Sequence, residues 1–272
     1  MTALLPHVEL VGLHLHIGSQ ILSVRPFVEA IRKVRGLCAD LKAALPSFRY
    51  LDIGGGIGIS YRPGEEPLSP AAFARAVTPL LKDLGVSVVM EPGRCIVGNA
   101  GILVCRVQYV KDNAFKKFIV VDAGMNDLIR PVLYDAHHEV LPVVRTTGTV
   151  QADLVGPICE SGDFLARDRR LPAVREGDLL AVCSAGAYGF AMASNYNSRP
   201  RPAEVMVDGS KAVLVRRRET WQDMVRKQDV SLVIGHWSLV IGHWSLVGGR
   251  QVVEGYFSTF NVLRSTLYWI LV

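Results

Sequence analysis

Apolar residues run with few interruptions through "HVELVGLHLHIG" (7–18), "FRYLDIGGG" (48–56) and "VSVVMEPGR" (86–94). Runs of this kind predict strands buried on both faces, as in a parallel sheet covered by helices. Between the first two, apolar side chains recur at Phe27, Ile31, Val34, Cys38, Leu41 and Leu45. That spacing is the stripe of an amphipathic helix. A second helix is expected to begin at Ser69-Pro70, an N-cap followed by proline in the first turn, and Pro79 is expected to shorten or kink it. The order strand, helix, strand, helix, strand predicts successive βα units.

Beyond residue 98 the pattern becomes β-rich. "GILVCRVQYVKD", "KKFIVVDAG", "DLLAVCSAGAY" and "AEVMVDGSKAVLVRRR" follow one another without comparable helices between them. This predicts an α/β segment over 1–98, an all-β domain over 99–226 and a tail over 227–272. In the tail "SLVIGHW" at 231–237 recurs letter for letter at 238–244, a block too short for a solenoid repeat. Two histidines interrupt it, and it falls short of the roughly 20 apolar residues a membrane span needs. The tail reads as read-through or frame-shifted repetitive DNA.

Composition adds limits rather than a function. A chain of 272 residues can bury a sizeable core, and its net charge of +5 comes without long basic blocks. "RDRR" (167–170) and "RRR" (216–218) read as solvated faces, so no nucleic-acid partner is expected. Five scattered cysteines and an N-terminus without a basic, then apolar, leader favour a reduced, cytoplasmic setting. No C-x-x-C or H-E-x-x-H spacing occurs, so no metal site is expected.

Polar residues gather where each predicted strand ends: His14, His16 and Ser19 after the first, Asp52 with Gly54, Gly55 and Gly56 after the second, Glu91 and Arg94 after the third. In parallel α/β architectures that edge is where ligands bind. Three successive glycines can converge backbone N–H groups on an anion, most often a phosphate. A tight βα turn with no ligand explains the same letters equally well, and neither the Rossmann nor the Walker pattern can be read here.

Six segments in order, "GLHLHIGSQ", "LDIGGGIGISY", "EPGR", "IRPVLY", "CESGD" and "GAYGFAMASNYNSRPRPAEVMVDG", resemble the motif series of the diaminopimelate decarboxylases. These are pyridoxal-phosphate enzymes of the alanine-racemase-like barrel fold. The resemblance covers about residues 10–220. It implies a fold of α/β plus all-β class, the C-terminal part of a (β/α)8 barrel followed by a β-sandwich or barrel-like domain. It also implies pyridoxal 5'-phosphate as cofactor, an amino-acid substrate, and decarboxylation of meso-2,6-diaminopimelate to L-lysine and CO2.

The resemblance assigns roles residue by residue. Gly54, Gly55, Gly56 and Ser19 would hold the cofactor phosphate, with Gly93 and Arg94 of "EPGR" beside it. His16 would stack on the pyridine ring and Glu91 would keep the ring nitrogen protonated. Arg94, Arg130 and Tyr134 would meet the substrate, Tyr188 the cofactor or substrate, Glu160 the distal ammonium, and Cys159 would return a proton to the α-carbon. Cys159 and Glu160 would reach into the partner's site of a homodimer. Each has a plainer alternative: a hydrogen-bonded strand-end histidine, a proline-glycine turn, a surface arginine at a proline turn, a small packed cysteine.

One part of the family pattern is missing. The family's cofactor-bearing lysine lies in a motif resembling Y-A-x-K-A-N, and none of the lysines at 33, 42, 82, 111, 116, 117, 211 and 227 sits in one. The chain therefore reads as an N-terminally truncated decarboxylase whose own activity is in doubt. The alternatives are a non-catalytic fragment or partner of a full-length homologue, or a related decarboxylase for carboxynorspermidine or ornithine.

Overall fold

The computed structural model describes residues 7–228 and the backbone of Tyr268–Leu271; the heptad repeat lies outside these residues. Strands β1 (Gly12–His14), β2 (Tyr50–Asp52) and β3 (Ser87–Val89) form a parallel sheet in that order. His14 pairs with Asp52, and Asp52 with Val89, so the three strands end level with one another. Helices α1 (Arg25–Ala44) and α2 (Pro70–Leu81) connect them. Ser69 caps α2 by accepting the Ala72 N–H, Pro70 opens its first turn, and the helix ends two residues after Pro79.

The predicted stripe is the one buried: Phe27, Ile31 and Cys38 of α1 pack with Phe73, Val77 and Leu81 of α2 over Leu51 and Ile53. The Phe27 and Phe73 rings meet edge to face with centroids 5.0 Å apart, a favoured aromatic geometry. One expectation fails at the edge. Among the described residues β3 has only β2 beside it, and Val88 and Val89, predicted to be buried on both faces, are exposed.

After a short helix α3 (Gly93–Val97) the chain enters a nine-stranded sheet. Its spine is β4 (Gly101–Asp112), which pairs antiparallel with β5 (Lys117–Val121) and with β9 (Leu179–Val182). Helix α4 (Arg130–Tyr134) leads to β6 (Val140–Pro142), which pairs with β9. β7 (Thr149–Val155) joins β5 and β8 (Phe164–Pro172), while β10 (Ala203–Asp208) and β11 (Lys211–Arg216) form a hairpin. Helix α5 (Trp221–Val225) follows, and β12 (Tyr268–Leu271) lies between β10 and β4. The core is formed by Leu103, Cys105, Val107, Ile119, Leu154, Leu165 and Leu180 among others.

The basic run on β8 departs from its sequence reading. Arg167 and Arg170 are exposed, but Arg169 is partly buried, donating to the His138 carbonyl oxygen and pairing with Glu139 at 3.2 Å. Arg216 likewise pairs with the buried Glu204. Arg169 sits on a strand, where alternate residues turn inward, while Arg216 stays exposed and covers Glu204 from outside.

Leu180 is fully buried in the β4–β9 layer. Leu180→Ala is expected to lower unfolding free energy by about 2–5 kcal/mol. Urea denaturation followed by tryptophan fluorescence measures it, and a loss under 1 kcal/mol would contradict this packing.

Candidate active site

Level strand ends bring three side chains together. Ligand atoms of His14, Asp52 and Glu91 all lie within 4.8 Å of one another, with His14 Nε2 3.7 Å from Glu91 Oε2. Asp52 also accepts the Gly54 N–H at 2.8 Å, an Asx-type turn that starts the glycine run.

The glycines are required by the backbones around them. A Cβ on Gly54 would strike the carbonyl oxygen of Leu15, one on Gly55 that of Glu91, and one on Gly56 that of Gly18. Gly54 and Gly56 also have φ of +69° and +89°. The sequence allowed either a ligand cradle or a tight turn, and the geometry gives the turn a firm cause. Two of the amides have internal partners: Gly54 binds Asp52, and Gly55 reaches His16 Nδ1 in a long 3.4 Å bond. The second is weak enough for an anion to displace.

Beside the glycines Arg94 donates to Ser19 Oγ at 2.9 Å and to the Tyr61 hydroxyl. Its guanidinium carbon lies 4.8 Å from the Tyr188 ring centroid. Arg130, only 6% exposed, stands 4.8 Å over the Tyr61 ring. Two guanidiniums thus share one tyrosine, and neither has a carboxylate partner among the described residues. Burial lowers the Arg130 pKa, and the charge of Arg94 adds to the effect. Arg94 Nε is itself buried with no hydrogen-bond partner. Such a site demands an anion.

Arg130 Nη1 lies 2.9 Å from Nε2 of His138, whose Nδ1 is 2.8 Å from the Cys183 carbonyl oxygen. Burial, helped by the Arg130 charge and opposed by the Cys183 bond, brings the His138 pKa down to about 4. The ring is therefore neutral near pH 7. Sequence reading passed over both Tyr61, the last letter of "LDIGGGIGISY", and His138. Only burial and contact give them roles, and neither can be read from spacing.

The "CESGD" loop is tied down by Asp163, which accepts N–H groups from Ile158 at 2.6 Å and Met125 at 2.7 Å. Cys159 and Glu160 project from it. Glu160 accepts from the Tyr196 hydroxyl at 3.2 Å, and Cys159 is exposed. Tyr134, at 61% exposure, points away on α4. Among the described residues no hydrogen bond or ring contact joins Cys159, Glu160 or Tyr134 to the strand ends. His16, Ser19, the glycines, Glu91, Arg94, Tyr188 and Arg130 form one continuous group, extended by Tyr61.

Comparison with known proteins decides the family. Residues 23–186 match the model of the pyridoxal-dependent decarboxylase, C-terminal sheet domain. The chain belongs to this family. It is 51% identical over 222 residues to a diaminopimelate decarboxylase of Aquifex aeolicus, covering 81% of this chain and 53% of that relative. A Pseudomonas aeruginosa diaminopimelate decarboxylase is 51% identical over 221 residues, with the same coverage. Among solved structures, one from Aquifex aeolicus superposes with a TM-score of 0.80 at 50% identity, covering 82% of this chain and 56% of that one. The Helicobacter pylori diaminopimelate decarboxylase complexed with L-lysine gives 0.77 at 40% identity, covering 83% and 56%. The chain spans about half the length of the curated relatives it matches. Its fold is that of the diaminopimelate decarboxylases, with the three-stranded sheet and its helices matching part of their barrel.

The donor set fits the family's cofactor. Carboxylates of Glu91 and Asp52 suit a protonated ring nitrogen, and Ser19, Arg94 and the bare glycine backbone suit a phosphate.

A buried carboxylate near this loop gives a pH-dependent signature. Asp127 is fully buried, accepting from Gly124 N–H and Asn126 Nδ2, and burial drives its pKa to about 7. An unfolded aspartate titrates near 3.9. Between about pH 4 and 7 the folded chain therefore holds the extra proton, and Asp127 costs stability as pH rises. The stability of Asp127→Asn relative to the wild type is expected to rise by about 1.4 kcal/mol per pH unit across that window. Denaturant melts at pH 4.5, 5.5 and 6.5 measure it. A pH-independent difference would contradict the buried, protonated carboxyl.

Proposed function

We propose that this chain serves in the decarboxylation of meso-diaminopimelate to L-lysine and CO2, with pyridoxal phosphate held at the ends of β1–β3. The observation that carries the reading is the pair of guanidiniums, Arg94 and Arg130, without a carboxylate partner. Diaminopimelate differs from lysine by one carboxylate, and a planar guanidinium grips such a group with two parallel hydrogen bonds. With Arg94 beside Ser19 serving the cofactor phosphate, Arg130 is the cation left for that second carboxylate, and a decarboxylase of single-carboxylate substrates would have no use for it. Homology at about half identity to proteins named diaminopimelate decarboxylase supports the same substrate.

Bound pyridoxal phosphate supplies the electron sink for the pair left behind when the carboxylate departs as CO2. The chain's residues do the rest. Glu91, with His14 Nε2 3.7 Å away, would hold a proton on the ring nitrogen. Gly54–Gly56, Ser19, Gly93 and Arg94 would hold the phosphate and His16 would lie against the ring, its 3.4 Å bond to Gly55 being weak enough to be exchanged. Arg130 and Tyr188 orient the substrate. The exposed Cys159 thiol delivers a proton to the α-carbon, and Glu160, steadied by Tyr196, meets the distal ammonium, as Tyr134 meets the carboxylate.

Cys159, Glu160 and Tyr134 stand apart from the strand ends, and Leu133 and Tyr134 are exposed apolar surface on α4. This supports a homodimer in which those residues complete the partner's site. Five free cysteines support a reducing, cytoplasmic setting. No described helix is long and apolar enough to cross a membrane. None of this chain's lysines sits in the family's lysine motif. Of this chain's lysines, Lys42 is held at the Phe48 carbonyl oxygen, Lys116 at Asp153 and Asp168, and Lys117 at Asp112.

Calorimetric titration of the chain with meso-diaminopimelate and with L-lysine, at saturating pyridoxal phosphate, tests the substrate assignment. Diaminopimelate is expected to bind more tightly, and Arg130→Ala to weaken it by about 10–100-fold, the loss of a charged bidentate contact. Equal affinity for the two ligands, or an unaffected Arg130→Ala variant, would overturn the reading.

A further inference from the structure

His138 has no part in the function proposed above, yet every polar atom of its ring and its carbonyl oxygen is engaged. A guanidinium has no lone pair to give, so Nε2 accepts from Arg130 and Nδ1 carries the imidazole proton to the Cys183 carbonyl oxygen. The backbone is pinned as well, because Arg169 donates to the His138 carbonyl oxygen. The ring's edge meets Tyr61 with centroids 5.4 Å apart and planes at 77°. Tyr61 in turn lies under the Arg130 guanidinium. His138 and Tyr61 thus fix Arg130 from two directions, the first as a hydrogen-bond acceptor and the second through its π-face.

We infer that His138 is a positioning residue for the carboxylate clamp: its Nε2 lone pair fixes Arg130 against Tyr61, leaving the remaining guanidinium donors for the substrate. The inference rests on the reading that Arg130 binds a substrate carboxylate. The choice of histidine is informative. A buried arginine is ordinarily paired with Asp or Glu, which orients it and also neutralises it. A carboxylate here would compete with the substrate for the same cation. A neutral imidazole supplies the directional acceptor and leaves the positive charge unspent. A histidine serving the core alone would need no cation on Nε2, and the Cys183 bond would suffice to satisfy it.

Two measurements separate the possibilities. Nitrogen-15 NMR of the chain without ligand reads the tautomer directly. Nε2 is expected to be unprotonated and Nδ1–H protected at pH 7, with the Arg130 side-chain protons slowed in exchange. An Nε2–H tautomer or an imidazolium would overturn the proposal, and this result does not depend on the substrate assignment or on any variant folding. Affinity for meso-diaminopimelate, at saturating pyridoxal phosphate, then separates orientation from charge. His138→Gln, a neutral acceptor, is expected to stay within about threefold of wild type, while His138→Glu, which keeps the hydrogen bond but neutralises Arg130, loses about tenfold or more. In an Arg130→Ala background neither substitution is expected to change affinity further, as for groups acting through one contact. Equal losses for Gln and Glu, or additive losses with Arg130→Ala, would assign His138 to packing alone. Failure of the wild-type chain to bind meso-diaminopimelate would instead overturn the substrate reading, while the NMR result still tests the His138–Arg130 link.

Discussion

A buried positive charge with no negative partner, the Arg130 guanidinium, is the interaction on which the site's organisation turns. Taking an ion out of water is costly unless its donors are met, and a protein ordinarily meets them with a carboxylate. Here the compensation comes from a neutral imidazole nitrogen at 2.9 Å and the face of Tyr61 at 4.8 Å. Neither cancels the charge. Arg94, bound to the hydroxyl of the same tyrosine, adds repulsion rather than relief. The folded chain carries an electrostatic deficit, and an anionic ligand is the way to remove it.

That deficit lies where two architectures meet. The parallel sheet contributes its level strand ends and the glycine run, while α4 and the connection from it to β6 bring Arg130 and His138. Their junction is built from backbone packing as much as from side chains. A Cβ on Gly186 would collide with the Val97 carbonyl oxygen, just as one on Gly55 would strike Glu91. The same close approaches that make these glycines necessary hold the acidic group of His14, Asp52 and Glu91 on one side and Ser19 and Arg94 on the other. Position is thus set by the fold, before any ligand arrives.

Much of this was legible in the letters. The stripe from Phe27 to Cys38 gave α1, Ser69-Pro70 gave the start of α2, and the unbroken apolar runs gave the parallel strands. The ordered motifs gave the family. What escaped was tertiary. Strands β7 and β8 carry too many polar residues to announce themselves, since Asp153, Asp168 and Arg169 are paired by Lys116 and Glu139, residues distant in sequence, rather than by sequence neighbours. The edge position of β3 depends on what stands beside it, which a run of valines does not encode. Tyr61 and His138 matter through burial and contact at separations of 33 and 8 residues from Arg94 and Arg130. The glycine run showed that something approaches the backbone closely, while its letters could not say whether that was a ligand or the chain itself.

A crystal structure of the chain grown with pyridoxal phosphate and meso-diaminopimelate tests the central claim most directly. The account predicts one substrate carboxylate bridging to the Arg130 guanidinium, the cofactor ring nitrogen facing Glu91, and the His138–Arg130 bond unchanged. A substrate carboxylate bound elsewhere, with Arg130 still lacking an anion, would contradict it.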